Sequence, residues 1–368
     1  MYKKIVYYFT ITLLSAFVVI ILSSCASRSH KDKEFVPPVY PPPPEKARFI
    51  YERTFRSSFD IKELTAFERF KTFATGVAGS GYGLQKPYGI AVYHGKVYVS
   101  DTVQRVVLLF DVPAKDFKVV GQEGLGQLTK PIGLAVDHNN GTLYVADNSG
   151  KRVVVYDEDG KYLRAIGGSD YFTRPSGVAV SPDGSKVYVV DTGGVDSQNH
   201  RMYIFDAFTG DHLKTVGSRG TENGQFNLPL QVSTGPDGTV YVVDGGNFRV
   251  QSFYPDGTYK GTFGAIGRRS GQFSRPKGIA NDSDGNTYVV DAAFGNFQIF
   301  NQQGQLLLFV GDRGFDGKPG EYMLPAGIAV DEDGRVYMVD QYFKKVDVFR
   351  PADLPADKGW LSSTRKRS

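Results

Sequence analysis

The most informative stretch of the 368-residue chain lies at residues 131–147, which read Pro-Ile-Gly-Leu-Ala-Val-Asp-His-Asn-Asn-Gly-Thr-Leu-Tyr-Val-Ala-Asp. Gly133–Val136 is short and wholly apolar, as expected of a strand that is buried on both faces. Asn139-Asn140-Gly141 is a turn sequence, and Thr142–Ala146 is a second β-run. The stretch therefore predicts an antiparallel hairpin whose first strand is buried.

Two further β-runs complete the unit that begins at Pro131. Arg152–Tyr156 is a third strand, and Asp157-Glu-Asp-Gly160 turns the chain again. Lys161–Ile166 alternates more between apolar and polar residues, as expected of an outer, half-exposed strand. The sequence therefore predicts a four-stranded antiparallel sheet.

One pattern recurs six times along the chain: Pro-x-Gly, a short apolar strand, a turn, and then Tyr-Val-x-Asp. The prolines are 44, 44, 54, 47 and 49 residues apart, and a helical 3.6-residue periodicity is absent. A period in the forties built from short β-runs is typical of a β-propeller. The repeated positions are Pro87, Pro131, Pro175, Pro229, Pro276 and Pro325, with Asp101, Asp147, Asp191, Asp244, Asp291 and Asp340.

Several phrases within the repeats carry a family resemblance. Gly-Gln-Phe-x-x-Pro occurs at Gly224–Pro229 and Gly271–Pro276, Gly-Ile-Ala-Val-Asp at Gly327–Asp331, and Tyr-Val-Val-Asp followed by Arg-Val at residues 241–250. In this combination, over about residues 76–350, the chain resembles the NHL repeat family. The resemblance implies an all-β fold, a six-bladed β-propeller of four-stranded antiparallel blades.

The sixth repeat lacks a fourth strand of its own. After Val346–Phe349 the chain runs into Arg350-Pro-Ala-Asp-Leu-Pro355, which has the composition of a loop. Arg48–Phe55 lies before the first repeat and has no other assigned place. We therefore expect it to form the outer strand of the last blade, which would pair the two ends of the chain and remove an open sheet edge. The propeller is then expected to span residues 47–350, with a tail at 351–368.

The N-terminus has the pattern of an export signal. Met1–Lys4 carries two lysines and Ile5–Ile21 is apolar; a transmembrane helix is the alternative, although the run is at the lower limit for a span. Leu22-Ser-Ser-Cys25 resembles a bacterial lipobox, and Cys25 is the only cysteine of the chain. We predict a lipoprotein signal peptide at residues 1–24 and acylation of Cys25. Ala26 then implies sorting to the outer membrane of the cell envelope.

Residues 25–46 are predicted to be a Pro-rich tether, extended between the membrane anchor and the propeller. The formal net charge of the whole chain is +4, and two of these charges lie in the predicted signal peptide. A charge this balanced does not favour nucleic acid as a partner.

Antiparallel blades place particular loops on one face of the ring. The turns between second and third strands share a face with the links between blades, and the other turns share the opposite face. On the first face, an insert at Gly193–His200 and a long link at residues 55–86 stand out. Within that link we expect an amphipathic helix at Asp60–Phe73, with Asp60 as N-cap and Glu63 as its partner.

No catalytic, metal-binding or cofactor-binding residue is predicted. The residues that follow the six repeat prolines include no carboxylate and no histidine, and His200 is a single histidine on the first face. The six recurring aspartates are expected to cap backbone N–H groups in turns and to pair with the following basic residue. The candidate partner-binding residues are Asp196, His200, Arg268, Arg269, Phe294, Tyr342 and Phe343.

The sequence favours a non-catalytic protein-interaction scaffold. We expect a monomeric propeller that is held to the membrane by its lipid anchor and presents loops to an envelope protein. A propeller fold alone does not decide function. Two alternatives therefore stay open: a lactonase- or lyase-like enzyme, and a sensor that binds a small ligand in the mouth of the central channel.

Overall fold

The computed structural model describes residues 35–62, 82–194 and 196–362. The chain divides into two compact units, Met1–Val36 and Pro37–Ser368, and every strand described below belongs to the second. Within the described residues, no helix is both long and apolar enough to cross a membrane. The predicted signal peptide and Cys25 lie outside the described residues and stay predictions.

The second unit is a ring of six antiparallel sheets, numbered here as blades 1 to 6. From the innermost strand outward, blade 1 consists of Pro87–Tyr93, Lys96–Asp101, Val106–Asp111 and Asp116–Val120. Blade 2 consists of Pro131–Val136, Leu143–Asp147, Arg152–Tyr156 and Tyr162–Ile166. Blade 3 consists of Pro175–Val180, Lys186–Asp191, Arg201–Asp206 and His212–Val216. Blade 4 consists of Pro229–Thr234, Val240–Asp244, Arg249–Phe253 and Tyr259–Phe263. Blade 5 consists of Pro276–Asn281, Thr287–Asp291, Asn296–Phe300 and Leu306–Val310.

Blade 6 combines strands from both ends of the chain. Its order, from the innermost strand outward, is Pro325–Val330, Val336–Asp340, Lys345–Pro351, Phe49–Phe55 and Val39–Tyr40. The predicted all-β, six-bladed fold and its closure by an N-terminal strand are thus confirmed. The outer strand of blade 2 begins at Tyr162, one residue after the position expected from the sequence.

Six apolar clusters form the core, one at each seam between neighbouring blades. At the seam of blades 1 and 2, for example, Tyr98 and Leu109 pack with Leu134 and Val154. Successive side chains of a strand point to opposite faces of its sheet, so a middle strand contributes to two seams. This is why middle strands such as Arg152–Tyr156 are almost continuously apolar.

The two ends of the chain meet in blade 6. Phe49–Phe55 pairs antiparallel with Lys345–Pro351, from Phe49 opposite Pro351 to Phe55 opposite Val346. Phe55 is fully buried in the seam between blades 6 and 1. Val39–Tyr40 then pairs with Phe49 and Ile50, and the Tyr40 ring packs edge-on against Phe349.

The second half of the predicted tether is therefore part of the propeller. Val39–Tyr40 forms the fifth strand of blade 6, and the chain turns back on itself between Tyr40 and Arg48, whose N–H donates to the Tyr40 carbonyl over 2.7 Å. Val39–Tyr40 is extended, but it lies within the sheet of blade 6, ahead of the expected start of the propeller at residue 47. Tyr40 packs against the apolar cluster between blades 5 and 6, whereas Pro42, Pro43 and Pro44 in the turn are exposed.

Two buried ion pairs hold the closure. Arg335 is fully buried, and its Nε lies 2.7 Å from a carboxylate oxygen of Glu52 on the N-terminal strand. The Lys345 Nζ lies 2.6 Å from the Asp347 carboxylate, and neither side chain is exposed. Asp347 also accepts a hydrogen bond from the Thr54 hydroxyl over 2.6 Å. The Arg335–Glu52 pair therefore ties the N-terminal strand to blade 6 directly, whereas Lys345 and Asp347 pair within their own strand and Thr54 joins that strand to the N-terminal one.

The ring has two faces. The upper face carries the inter-blade links and the turns between second and third strands, and the lower face carries the other turns. On the upper face, Ser58–Asp60 forms a short 3-10 helix, with Ser57 as its N-cap and Asp60 as its capping partner. Capping thus begins three residues before the predicted position, and the remainder of the predicted helix, from residue 63, lies outside the described residues.

Candidate functional site

The central channel narrows towards the upper face because the inner strands approach one another at their glycines. A Cβ on Gly89 would lie 2.1 Å from the carbonyl oxygen of Ile132 in the next blade, and one on Gly278 would lie 2.4 Å from that of Ala326. Contacts this short do not occur between real atoms, so these positions need glycine. This close approach explains the glycine of the Pro-x-Gly pattern.

The Pro-x-Gly pattern holds in five blades and not in all six as expected from the sequence, since Gln231 stands in blade 4 where the other blades have glycine. Its side-chain amide donates to the Ser176 carbonyl of blade 3 over 3.2 Å. A half-buried polar side chain therefore lies among the glycines at the narrow part of the channel.

Below the glycines the channel widens into a chamber of about 470 Å³ that opens on the lower face. Small residues in the middle of the inner strands leave this space. They are Ala91, Ala135, Ala179, Ser233, Ala280 and Ala329. The neighbouring valines, isoleucines and leucines make most of the wall apolar.

One sector of the chamber wall is polar. Blades 4 and 5 contribute Ser233, Thr234 and Asn281 where the other blades have aliphatic residues. The Ser233 hydroxyl donates to the Asn281 side-chain oxygen over 2.5 Å, and the Thr234 hydroxyl donates to the Val180 carbonyl over 2.7 Å. An apolar wall with a few fixed polar groups is typical of a small-molecule site.

The rim of the chamber is acidic. Glu332 of blade 6 lies 3.0 Å from the Nδ1 of His138 in blade 2, and both oxygens of Glu332 approach the His94 N–H. Partial burial would raise the pKa of Glu332, but the hydrogen bond with His138 and those from backbone N–H groups lower it overall. Glu332 therefore carries a negative charge at neutral pH.

Asp331 also lines the chamber, beside Glu332. Its carboxylate accepts from the Tyr337 hydroxyl over 2.7 Å and from the Arg335 N–H over 2.8 Å. Burial outweighs these bonds and raises the pKa of Asp331 to about 7. The charge of the rim therefore changes close to neutral pH.

The C-terminal residues support one side of the rim. The Trp360 ring stacks on His94 with centroids 3.9 Å apart, and His94 stacks on Tyr93. The backbone N–H of Trp360 donates to the Asp333 carboxylate over 2.5 Å. A stack of aromatic rings thus lies next to the Glu332 carboxylate.

The upper mouth of the channel is different in character. The six residues that follow the repeat prolines are Tyr88, Ile132, Ser176, Leu230, Lys277 and Ala326. Burial lowers the pKa of the Lys277 ammonium to about 8, and the nearby Arg275 adds to the shift. The upper mouth therefore has a cationic group where the lower rim has carboxylates.

The recurring aspartates are structural. Asp101, for example, accepts the N–H groups of Gln85 and Lys86 over 2.6 and 2.9 Å, and so fixes the link that enters its own blade. Its second oxygen accepts from Val103 and Gln104 in the following turn. The predicted pairing with the next basic residue occurs in two blades, Asp244–Arg249 at 2.9 Å and Asp147–Arg152 at 3.8 Å.

The predicted partner-binding residues all lie on the upper face. Arg268, Arg269 and Asp196 are exposed, and Phe294 is half-buried. Tyr342 is 61% exposed, and its ring centroid lies 5.0 Å from that of the half-buried Phe343. The structure thus brings Tyr342 and Phe343 together. Their role in partner binding stays a prediction.

His200 is buried, with 1% of its surface exposed. Its Nδ1 accepts the Leu228 N–H over 3.0 Å, and burial lowers the pKa of the ring. In this arrangement the imidazole supports the link between blades 3 and 4.

The chamber is not predicted from the sequence, because the features that stand out there, the insert at Gly193–His200 and the link at residues 55–86, lie on the upper face. The pair His138–Glu332 joins residues that are far apart in sequence and meet only when the ring closes. The recurring small residue in each inner strand was a readable signal of an open space. Among the described residues, no group of three or more His, Cys, Asp or Glu side chains is arranged to hold a metal ion.

Comparison with protein families finds one NHL repeat. The profile of the NHL repeat family matches residues 128–156, which comprise the end of the link into blade 2 and the first three strands of that blade. This match agrees with the resemblance carried by the repeated phrases and with the six-bladed ring.

Solved structures with the same fold have diverse functions. A protein of unknown function from Bacteroides thetaiotaomicron superposes with a TM-score of 0.58 at 21% identity, over 74% of this chain and 71% of that chain. An auxiliary nutrient binding protein from the same organism gives 0.56 at 13%, over 75% and 71%. A gluconolactonase from Xanthomonas campestris gives 0.55 at 18%, over 73% and 86%. At these identities the likeness supports the fold alone.

Proposed function

We propose that this protein is a lipid-anchored propeller of the bacterial cell envelope that binds a small organic cation in its lower chamber without chemical conversion. The single observation that carries the proposal is the chamber of about 470 Å³, whose wall is largely apolar and whose rim carries Glu332 and Asp331. An apolar wall receives the body of a ligand, and a carboxylate beside aromatic rings receives its positive charge.

The envelope location rests on the sequence. Leu22–Cys25 has the pattern of a lipobox after a basic and apolar leader, and the tether predicted from it is consistent with a propeller held near a membrane. Mass spectrometry of Cys25 in the native membrane tests this part, since an unmodified thiol would contradict it.

The ligand proposal is tested by binding of tetraalkylammonium ions and diamines, measured by calorimetry and by the shift in melting temperature. Bound cation stabilises the folded state by about 2.7 kcal/mol at one hundred times its Kd. We expect Glu332→Gln and Ala135→Leu to weaken binding, the first by removing charge and the second by filling the chamber.

Glu123→Gln serves as the matched control, because Glu123 is an exposed carboxylate on the upper face. Equal binding by Glu332→Gln and Glu123→Gln, or equal binding of anionic analogues, would contradict the proposal. Chemical change of a bound probe would favour the enzyme alternative instead.

A second candidate function is the interaction scaffold expected from the sequence. Arg56 donates to the carbonyls of Phe343 and Gly317 and so holds two loops together. These loops expose Tyr342 and Phe315, the latter to 77%. Aromatic side chains of this kind are common anchors in protein interfaces.

The scaffold function is tested by affinity purification from solubilised envelope. A stoichiometric partner should be lost from Phe315→Ala/Tyr342→Ala and kept by Phe208→Ala, which removes a comparably exposed ring from the lower face. A partner retained equally by all three proteins would locate the interface elsewhere.

A further inference from the structure

Exposed apolar side chains are distributed unevenly between the two faces. Among the residues that the structure describes, four of the six inter-blade links expose one on the upper face, namely Leu125, Leu228, Ile266 and Phe315. Tyr82 and Tyr171 of the other two links pack instead on Phe117 and His212 of the outer strands. Leu125 is 78% exposed and Ile266 is 66% exposed. The lower-face turns within the described residues expose far fewer, chiefly Phe208 and Tyr254.

Charge is distributed just as unevenly. On the upper face Lys and Arg outnumber Asp and Glu in the described links and turns, and Arg268 and Arg269 follow closely after Ile266. The repeated aspartates at this end are buried and engaged with backbone N–H groups. The upper face is therefore basic, and exposed apolar residues lie between its charged residues.

The acidity of the lower face follows from its turn chemistry. Asp183, Asp237 and Asp282 each accept backbone N–H groups two to four residues further on, which is how aspartate stabilises a tight turn. Aspartate recurs in this way in turns around the ring, and these carboxylates give the lower face its negative charge. The disc thus has two electrostatically different faces.

The chain enters the propeller from the upper side. Phe49–Phe55 runs towards the upper face, where the link at Arg56 begins, and Val39–Tyr40 runs antiparallel to it. Pro38 stands opposite Tyr51, further towards the upper face than Tyr40. Residues 25–36 span at most about 40 Å even when fully extended. An anchor at Cys25 would therefore hold the propeller close to the membrane.

We infer that the upper face docks onto an anionic lipid surface, with the apolar side chains of the links at headgroup level and the cations against lipid phosphates. The inference rests on the anchoring of Cys25 proposed above. A lipid surface fits better than a protein because most of the exposed apolar residues of this face stand singly between charges, and only Phe315 and Tyr342 lie on adjoining loops, whereas protein hot spots form a contiguous centre. In this orientation the chamber opens away from the membrane.

The test uses the full acylated chain reconstituted into vesicles. Because Cys25 is the only cysteine and is blocked by acylation, Ser270→Cys on the upper face and Gln303→Cys on the lower face each accept a single donor dye. Energy transfer to headgroup-labelled lipid reports the distance of each face. We expect stronger transfer from position 270 in phosphatidylglycerol vesicles, reduced in phosphatidylcholine vesicles and by 0.5 M salt.

Charge reversal supplies the matched comparison. Arg268→Glu/Arg269→Glu should reduce the docked population at least tenfold, whereas Lys161→Glu/Lys214→Glu makes the same change of charge away from the upper face and should leave docking intact. Equal transfer from the two positions, or transfer that ignores lipid charge and salt, would overturn the inference and leave the upper face to a protein partner.

Failure of the anchor is recognised separately, because the protein would then not float with phosphatidylcholine vesicles in 0.5 M salt, where electrostatic docking is screened. In that event the Cys25→Ser chain is sedimented with the same vesicles. Salt-sensitive binding to phosphatidylglycerol, lost in the Arg268/Arg269 double variant, still supports docking. No binding of this chain to phosphatidylglycerol vesicles contradicts it.

Discussion

Gly89 shows how little space separates neighbouring inner strands. Its backbone lies against the Ile132 carbonyl, where an added Cβ would stand at 2.1 Å. The obstacle is backbone of the next blade, which cannot rotate away as a side chain would. The spacing of the whole ring therefore depends on this position and on its equivalents.

We expect Gly89→Ala to lower the free energy of unfolding by about 2–3 kcal/mol, because the blades must separate to admit the methyl group. Gly194→Ala is the control, since its nearest neighbour would lie 3.9 Å away, and it should change stability by less than about 0.5 kcal/mol. Urea unfolding measures both. Equal stability of the two variants would show that the ring relaxes freely at Gly89.

Asp331 predicts a pH dependence of stability. Its pKa is about 7 in the folded protein and about 3.9 in an unfolded chain, so between these values only the folded state holds the proton. Stability is therefore lost as the pH rises through 7. Between pH 5 and pH 8 this group should cost about 2 kcal/mol.

The Asp331→Asn variant should lack this loss, because an amide does not ionise; its oxygen can still accept the Arg335 N–H, and its NH2 group can donate to the Tyr337 oxygen. Thermal unfolding of both proteins across this pH range is the measurement. Parallel pH profiles for the two proteins would assign the dependence to another group.

At the scale of elements, the recurring aspartate joins a link to the blade that follows it. The sequence correctly indicated a capping role for this residue, because aspartate before a turn has few other structural uses. The backbone groups it would bind were not readable. Asp101 reaches back to Gln85 and Lys86 across the full length of two strands, a contact that exists only once the hairpin has formed.

The ion pair of Lys345 and Asp347 carries a prediction about the closing strands. Lys345→Met leaves the Asp347 carboxylate buried without its counter-charge, which should cost about 3–5 kcal/mol. Replacing both residues, as Lys345→Met/Asp347→Leu, should recover part of this loss because no charge is then buried. Denaturant unfolding of the single and double variants checks it, and a double variant less stable than the single one would contradict it.

At the scale of the whole molecule, the sequence predicted the ring and its closure but not the position of the chamber. Repeat spacing and strand patterns are local features of the sequence. They were enough to predict the number of blades and the outer strand at Phe49–Phe55. The chamber depends on how close six inner strands come, at glycines above and alanines below. The pair His138–Glu332 likewise arises from the ring geometry and not from any motif.

Closure by the N-terminal strand predicts a graded effect of shortening the chain. A protein that starts at Arg56 lacks the outer strand of blade 6 and should melt on the order of 10 °C lower, since it loses the buried Phe55 and the Glu52 partner of Arg335. A protein that starts at Lys46 lacks only Val39–Tyr40 and should lose a few degrees. Calorimetry separates the two, and equal melting temperatures would refute the role of the strand.

Pairing of the two ends also sets an order of events during synthesis. Phe49–Phe55 is made first, and its partner Lys345–Pro351 leaves the ribosome roughly 15–60 s later at ordinary elongation rates. Throughout that interval the nascent chain offers an unpaired β-strand, and the unpaired edge of blade 6 in another copy has the shape to accept it. The strand that completes the finished ring is therefore also the segment through which unfinished copies would exchange ends and form swapped dimers.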